Sequence, residues 1–226
     1  MKGENVNKKI SEDGNRILFE TDNEDEYLLQ FTDDVVDAAG HVKGNVKNKG
    51  AVCCRVATHL YKVLASYHLP VRLKSQKSEN ELVVKKAALF PFYVNLSYEK
   101  SDDGTEAPKI EFDLIEEGKT ETVEMKALSS SGAATEAQVV EVRRFVLKMN
   151  VILKDFFRRR NLQLLGFRTQ FGVLPSGKVA LCSELTMDSC DIKDVNSRRK
   201  FTTTYVLSHL DSAAELYDEA LNAILY

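Results

Sequence analysis

The stretch LKMNVILKDFFRRRNLQLLGFRTQFG (residues 147–172), followed after a short gap by GKVALCSELTMDSCDIKD (residues 177–194), decides the fold. Apolar runs cover residues 164–174 and 179–185, and the turn-forming sequence Pro-Ser-Gly at 175–177 separates them. Two apolar runs on either side of such a turn predict a β-hairpin.

The residues before this hairpin predict the best-defined helix of the chain. Thr135 and Gln138 have the spacing of a capping box, in which each side chain bonds the other residue's backbone N–H. Apolar residues then recur every three or four positions from Val139 to Phe156. A single apolar stripe of this kind packs against a protein core.

The rest of the chain predicts short strands and two further helices. We expect strands at 16–20, 27–31, 71–73, 82–84, 92–96 and 110–114, a loop at 40–50 and a turn at 101–108. We expect one helix from residue 52 that ends before Pro70, and a final helix capped by Ser212 with Glu215. Strands first, with helices mixed into the second half, indicate an α+β protein.

Composition narrows the class of protein. The 226 residues carry a net charge of −3, which disfavours general nucleic-acid binding because phosphate contacts need clustered Lys and Arg. No apolar run approaches the ~20 residues of a membrane helix, and residues 1–15 lack the apolar centre of a signal peptide. We therefore expect a cytoplasmic protein with no membrane partner. The four cysteines have no metal-ligand spacing and predict buried, reduced thiols: Cys53, Cys54, Cys182 and Cys190.

The stretches 147–172 and 177–194, together with residues 31–34 (FTDD), 48–74 and 81–94 (ELVVKKAALFPFYV), resemble the SAICAR synthetase family in order and spacing. This purine-pathway ligase is also called phosphoribosylaminoimidazole-succinocarboxamide synthase, and the resemblance covers most of residues 12–195. It implies ATP-driven amide formation between an imidazole carboxylate and aspartate. It also implies a small N-terminal antiparallel sheet domain with one helix (1–90), packed on a larger α/β domain (91–226) with a cleft between them.

The resemblance implies metal-binding carboxylates at positions that are degenerate here. One family carboxylate falls on Gln170 and another on Ser183, while an upstream Asp falls on Gly166; Glu184 alone remains acidic. Neutral amide and hydroxyl oxygens do not offset the charge of Mg²⁺ beside a triphosphate. We therefore expect no resident metal, with ATP and Mg²⁺ as cofactors only if the ligase site still functions.

The positions that the resemblance assigns to the nucleotide and the substrate are partly retained. The family's Gly-Lys-x-Lys turn falls on residues 13–16, where Arg16 is the cation that remains. The residual nucleotide-binding set is Arg16, Lys85, Lys86 and Glu184. On the substrate side, an Arg-Asn pair falls on Ser97 and Tyr98, and a further Arg falls on Asp191. The residual substrate-side set is Asp34, Lys49, Asp188 and Ser189.

The sequence leaves three hypotheses about function open. The first is a divergent family member with impaired catalysis, a pseudoenzyme that acts by binding a nucleotide, a nucleic acid or a protein partner. The alternative is an active ATP-dependent ligase in which Glu184, Asp34 and Asp188 rebuild a metal site. The third is a nucleic-acid-binding module that uses basic residues such as 158–160 and 198–200, against which the net charge counts. A homodimer is a further possible partner arrangement.

Overall fold

The computed structural model describes residues 8–37, 39–100, 102–104 and 106–226. Within them the α-helices are α1 (Lys49–Ser66), α2 (Met125–Ser130), α3 (Glu136–Arg158), α4 (Thr203–Leu207) and α5 (Ala213–Leu225), with a 3₁₀ turn at Leu210–Ser212. The strands of the first half are β1 (Lys9–Glu12), β2 (Arg16–Glu20), β3 (Glu26–Phe31), β4 (Asp34–Val36), β5 (Val42–Asn45), β6 (Leu73–Gln76), β7 (Glu81–Lys85) and β8 (Ala88–Leu89). The strands of the second half are β9 (Phe92–Lys100), β10 (Glu106–Glu116), β11 (Lys119–Val123), β12 (Leu162–Thr169), β13 (Phe171–Val173), β14 (Val179–Leu181), β15 (Cys190–Asp194) and β16 (Lys200–Phe201).

The first half forms a five-stranded antiparallel sheet in the order β1-β2-β3-β7-β6, with α1 packed on it. Helix α1 buries Val56, Leu60 and Leu64, which lie four residues apart and so share one face of the helix. The same helix also contacts α5 from the C-terminal end of the chain. As expected, α1 ends before Pro70, whose ring cannot continue a helix.

The second half forms a six-stranded antiparallel sheet in the order β11-β10-β9-β12-β15-β16. Helix α3 packs on β9 and β12 and buries the predicted apolar stripe from Val139 to Phe157. The capping box at its start is confirmed, because Thr135 accepts from Gln138 N and the Gln138 side chain accepts from Thr135 N. The predicted α+β class is confirmed, with every strand pair among the described residues antiparallel.

A third sheet, in the order β14-β13-β8, joins the two halves. Strand β8, which precedes residue 90, pairs with β13 of the second half, and Val71 forms a bridge with Leu181. The core is continuous across this region. A boundary at 90/91 falls in the chain between β8 and β9; that division stays a prediction, and its residues 1–7 lie outside the described part.

Several predicted elements are wrong in extent. The expected loop at 40–50 contains β5, which pairs with β4, and the first residues of α1. The expected hairpin is limited to β13 and β14, because β12 joins the six-stranded sheet instead. Ser212 makes no side-chain cap to α5, since its hydroxyl donates to the His209 carbonyl.

The turn expected at 101–108 is shorter, because β9 extends to Lys100 and Pro108 lies in β10 opposite Tyr98. Its Ser101 and Thr105 lie outside the described residues. All four cysteines are free and buried, as expected. Among the described residues, none of the helices combines the length and the apolar character that crossing a membrane requires.

Candidate functional site

A cavity of about 370 Å³ lies where the five-stranded and six-stranded sheets face each other. Its walls come from Arg16 at the start of β2, from Tyr93 on β9, from Arg168 on β12 and from the segment 183–189 that links β14 to β15. The turn before β2 is tight: Gly14 has a φ of +86°, and a Cβ there would lie 2.7 Å from Val36 Cγ1. The sequence therefore places Arg16 in the cavity through a turn that requires glycine.

Glu184 is held between two arginines at the edge of this cavity. Arg16 Nη1 donates to one carboxylate oxygen at 2.5 Å, and Arg72 Nη2 donates to the other at 2.6 Å. Only 1% of the Glu184 side chain is exposed, against 25% for Arg16. Arg16 also donates two hydrogen bonds to Asp13. Both oxygens of Glu184 are therefore engaged by charged donors within the protein.

The charges of this cluster stabilise one another. Burial disfavours the charged form of Glu184, but the attraction of Arg72 and then of Arg16 outweighs it, so the pKa of the carboxyl is lowered. Burial likewise opposes the charge of Arg16, and Glu184 and Asp13 outweigh it, so the pKa of that guanidinium is raised. The cluster is an ion-paired unit at neutral pH.

Asp188 forms a second buried centre beside the cavity. Its Oδ2 accepts from Lys49 Nζ at 2.6 Å and from Asn15 Nδ2 at 3.2 Å, and its Oδ1 accepts from Tyr217 Oη at 2.7 Å. Lys49 is only 1% exposed. Burial lowers the pKa of Lys49, yet Cys53 and Asp188 together outweigh that effect and raise it. Asp188 therefore ties β2, α1 and α5 to the segment 183–189.

Gln170 and Ser183, the degenerate metal positions, make structural hydrogen bonds. The Gln170 side-chain amide donates to the Phe90 carbonyl at 2.9 Å. Ser183 Oγ accepts from Gln170 N at 2.8 Å and lies 2.8 Å from Thr169 Oγ1. A carboxylate in place of Gln170 has no proton for the Phe90 carbonyl, so the neutral amide fits this contact.

Arg168 and Tyr93 form the opposite wall of the cavity. The guanidinium lies 4.2 Å from the centre of the Tyr93 ring, a cation–π arrangement, and 3.5 Å from an oxygen of Asp113. Asp113 also accepts from Asn95 and Thr122. This wall thus presents a partly exposed cation whose position is fixed by an aromatic ring and a buried carboxylate.

The structure brings together only part of the predicted site. Arg16, Ser183, Glu184, Asp188 and Ser189 line the cavity, and Lys49 lies behind Asp188. The remaining predicted residues do not line it. Lys86 lies over the Tyr27 ring at 4.8 Å, Lys85 is exposed on β7, Asp34 accepts from Asn45 at 2.9 Å, and Gln170 faces Phe90.

Sequence reasoning missed Arg72 and Tyr217, which hold the two buried carboxylates. Arg72 follows Pro70 and Val71 in a stretch predicted as a strand, and a charge at that position was a usable signal of a buried ion pair. Tyr217 lies 29 residues after Asp188 on α5, and no local pattern links the two residues.

The side chains present do not fit the divalent metal that the resemblance implies. Among the described residues, no three His, Cys, Asp or Glu side chains are grouped so as to hold one ion. The remaining acid of the expected set, Glu184, already bonds two guanidinium groups. A metal ion there would have to displace both, and it would then face their positive charges.

Comparison with known proteins identifies the class to which this fold and cavity belong. The model of the SAICAR synthetase family matches residues 9–95 and 100–224. The chain therefore belongs to the SAICAR synthetase family.

Named relatives match over nearly the whole chain. Phosphoribosylaminoimidazole-succinocarboxamide synthase of Campylobacter jejuni (strain RM1221) is 29% identical over 92% of this chain and 94% of its own length. The protein of the same name from Deinococcus radiodurans is 27% identical over 92% of each. These names favour the ligase hypothesis over the binding-only hypothesis, and nothing in the comparisons shows that this chain is impaired.

Solved structures share the fold. The crystal structure of phosphoribosylaminoimidazole-succinocarboxamide synthase from Ehrlichia chaffeensis superposes with a TM-score of 0.88 at 22% identity, covering 96% of this chain and 98% of the other. A SAICAR synthetase in complex with ADP superposes with a TM-score of 0.87 at 20% identity, covering 96% and 97%. At these identities the likeness concerns the fold alone.

Proposed function

We propose that the cavity between the two sheets binds a nucleotide. The observation that carries this proposal is Arg16, a cation at the start of β2 that reaches into a polar cavity of about 370 Å³. A cavity of this size falls within the range of small-molecule sites. A family relative of the same fold has been solved in complex with ADP, which supports the same class of ligand.

ATP-dependent ligase activity is the first candidate for the role of the bound nucleotide. The relatives that match over 92% of the chain are named phosphoribosylaminoimidazole-succinocarboxamide synthase, and this supports amide formation from an imidazole carboxylate and aspartate. No catalytic step through a metal can be derived from the side chains present. Charge on a transferred phosphoryl group would have to be offset by Arg16 and Arg168.

Binding without turnover is the second candidate, and one observation favours it. Both oxygens of Glu184 are committed to Arg16 and Arg72, and the other expected carboxylate positions are Gln170 and Ser183. This arrangement supports a protein that recognises a nucleotide but does not activate its γ-phosphate. The expected cytoplasmic location, homodimer and protein or nucleic-acid partner stay predictions.

An assay of ADP release in the presence of ATP, aspartate and the imidazole carboxylate separates the two candidates. A Mg²⁺-dependent rate near the ~10 s⁻¹ of an ordinary enzyme supports the ligase. A rate about a thousandfold lower, in a protein that ATP still stabilises against heat, supports binding without turnover. If no nucleotide stabilises or binds the protein, the proposal of a nucleotide site is wrong.

A further inference from the structure

The charges around the cavity are paired with one another, so an anion has to replace an existing partner. Two arginines and four acids line the cavity: Arg16, Arg168, Asp13, Asp37, Glu184 and Asp188. From outside the lining, Arg72 and Lys49 pair with Glu184 and Asp188, Lys43 pairs with Asp37, and Asp113 pairs with Arg168. The lining, as far as its residues are described, therefore offers no cation that lacks an acidic neighbour.

Among these acids, Asp13 is the one most easily exchanged. Half of its side chain is exposed, whereas the exposed fractions are 23% for Asp37, 15% for Asp188, 14% for Asp113 and 1% for Glu184. It lies on the turn before β2 rather than within a strand. Its replacement by another anion therefore leaves the buried ion pairs intact.

The contact between Asp13 and Arg16 has the form of a phosphate contact. One carboxylate oxygen of Asp13 accepts from both Nε and Nη2 of Arg16, with the Nε contact at 3.0 Å. An arginine uses the same two N–H groups to hold a phosphate. A phosphate that replaced Asp13 would leave Nη1 of Arg16 on Glu184.

We propose, on the basis of the nucleotide site proposed above, that the cavity selects a nucleoside monophosphate without a divalent metal, and that its phosphate replaces Asp13 on Arg16. A phosphate monoester carries a charge of about −1.5 to −2. Release of one carboxylate frees one guanidinium, which suits a single phosphate. A triphosphate brings more negative charge than this exchange can offset, and the described residues of the cavity include no carboxylate cluster to recruit Mg²⁺ for it.

Calorimetric titration of AMP and of ATP, each in EDTA and in excess Mg²⁺, tests the proposal. The proteins are the wild type, Asp13→Asn, and the matched control Asp37→Asn, which also removes a lining carboxylate but one that contacts Lys43 rather than Arg16. We expect wild-type AMP affinity in EDTA to stay within about twofold on addition of Mg²⁺, and ATP to bind no more tightly than AMP. We expect Asp13→Asn to tighten AMP binding about tenfold or more, and Asp37→Asn by about twofold at most, because a charge without direct contact is screened.

Three results would overturn the proposal. If AMP binding requires Mg²⁺, or if ATP with Mg²⁺ binds much more tightly than AMP, the metal-free monophosphate site is wrong while the nucleotide site stands. If Asp13→Asn and Asp37→Asn tighten binding equally, exchange at Arg16 is wrong. If no protein binds either nucleotide under any condition, the proposed nucleotide site fails as well.

Discussion

The substitution Glu184→Gln tests whether this residue is an ion-pair anchor of the fold or a ligand-binding acid that the fold merely tolerates. The variant keeps the shape of the side chain but leaves Arg72 and Arg16 without their shared negative partner. Removal of one partner from a buried ion pair costs about 3–5 kcal/mol. Because a quarter of Arg16 is exposed and it retains Asp13, we expect the lower end, about 3 kcal/mol.

Thermal and urea unfolding of the apo protein measure this loss. For a chain of this size, about 3 kcal/mol corresponds to a fall in Tm of roughly 6–12 °C. The matched control is Glu219→Gln, whose side chain is 49% exposed and pairs with Arg199 on the surface. Such a pair contributes less than about 1 kcal/mol. If Glu184→Gln loses no more stability than Glu219→Gln, or gains stability, the anchor interpretation is refuted.

The same pair of proteins gives a pH dependence with a defined sign. Because the folded-state pKa of Glu184 is lowered below its ordinary value of 4.5, its stabilisation is complete above that value. This stabilisation is lost as the pH falls through the lowered folded pKa. We expect the stability difference between wild type and Glu184→Gln to be constant from about pH 6 to about pH 7 and to shrink below pH ~4.5. A difference that grows on acidification would contradict the ion-pair cause.

Three further substitutions test other contacts. Tyr217→Phe should destabilise the protein by about 1–2 kcal/mol in urea unfolding, because Asp188 loses a donor at 2.7 Å; Tyr226→Phe, at a residue 87% exposed, should change little. Gly166→Ala should cost at least about 2 kcal/mol in the same assay, because its Cβ would lie 2.6 Å from the Leu96 carbonyl oxygen; an unchanged midpoint would refute this close approach. Gln170→Glu should cost about 1–3 kcal/mol at about pH 7, since a carboxylate cannot donate to the Phe90 carbonyl, and a loss that vanished at about pH 7 but appeared at about pH 4 would contradict that cause.

Local signals in the sequence predicted the elements whose contacts are local. The start of α3 depends on Thr135 and Gln138, three residues apart, and the end of α1 depends on the nearby Pro70, so both could be placed. The extent of the hairpin could not, because β12 contains the same kind of apolar alternation as β13, and only its partner strands β9 and β15 decide which sheet it joins. Pairing between distant strands leaves no local pattern.

The candidate site divides in the same way. The resemblance to a family located Arg16, Glu184 and Asp188 because these residues lie in recognisable segments. It did not predict that Arg72 would pair with Glu184, since the two are separated by 112 residues and meet only through the fold. The sequence also grouped Lys85 and Lys86 with Arg16, although neither residue lines the cavity that contains Arg16.

The segment 183–189 contacts both sheets through charged groups, at Glu184 with Arg16 and Arg72, and at Asp188 with Lys49. These contacts act as rivets between the two layers, so the layers cannot swing apart like jaws without breaking buried ion pairs. Breathing motion at the mouth is left to the turn that carries Asp13 and to the neighbouring rim at Asp37 and Gly40. Hydrogen–deuterium exchange should therefore be slow along the riveted segment and fast at that rim, and ligand entry should proceed by local flexing of the rim.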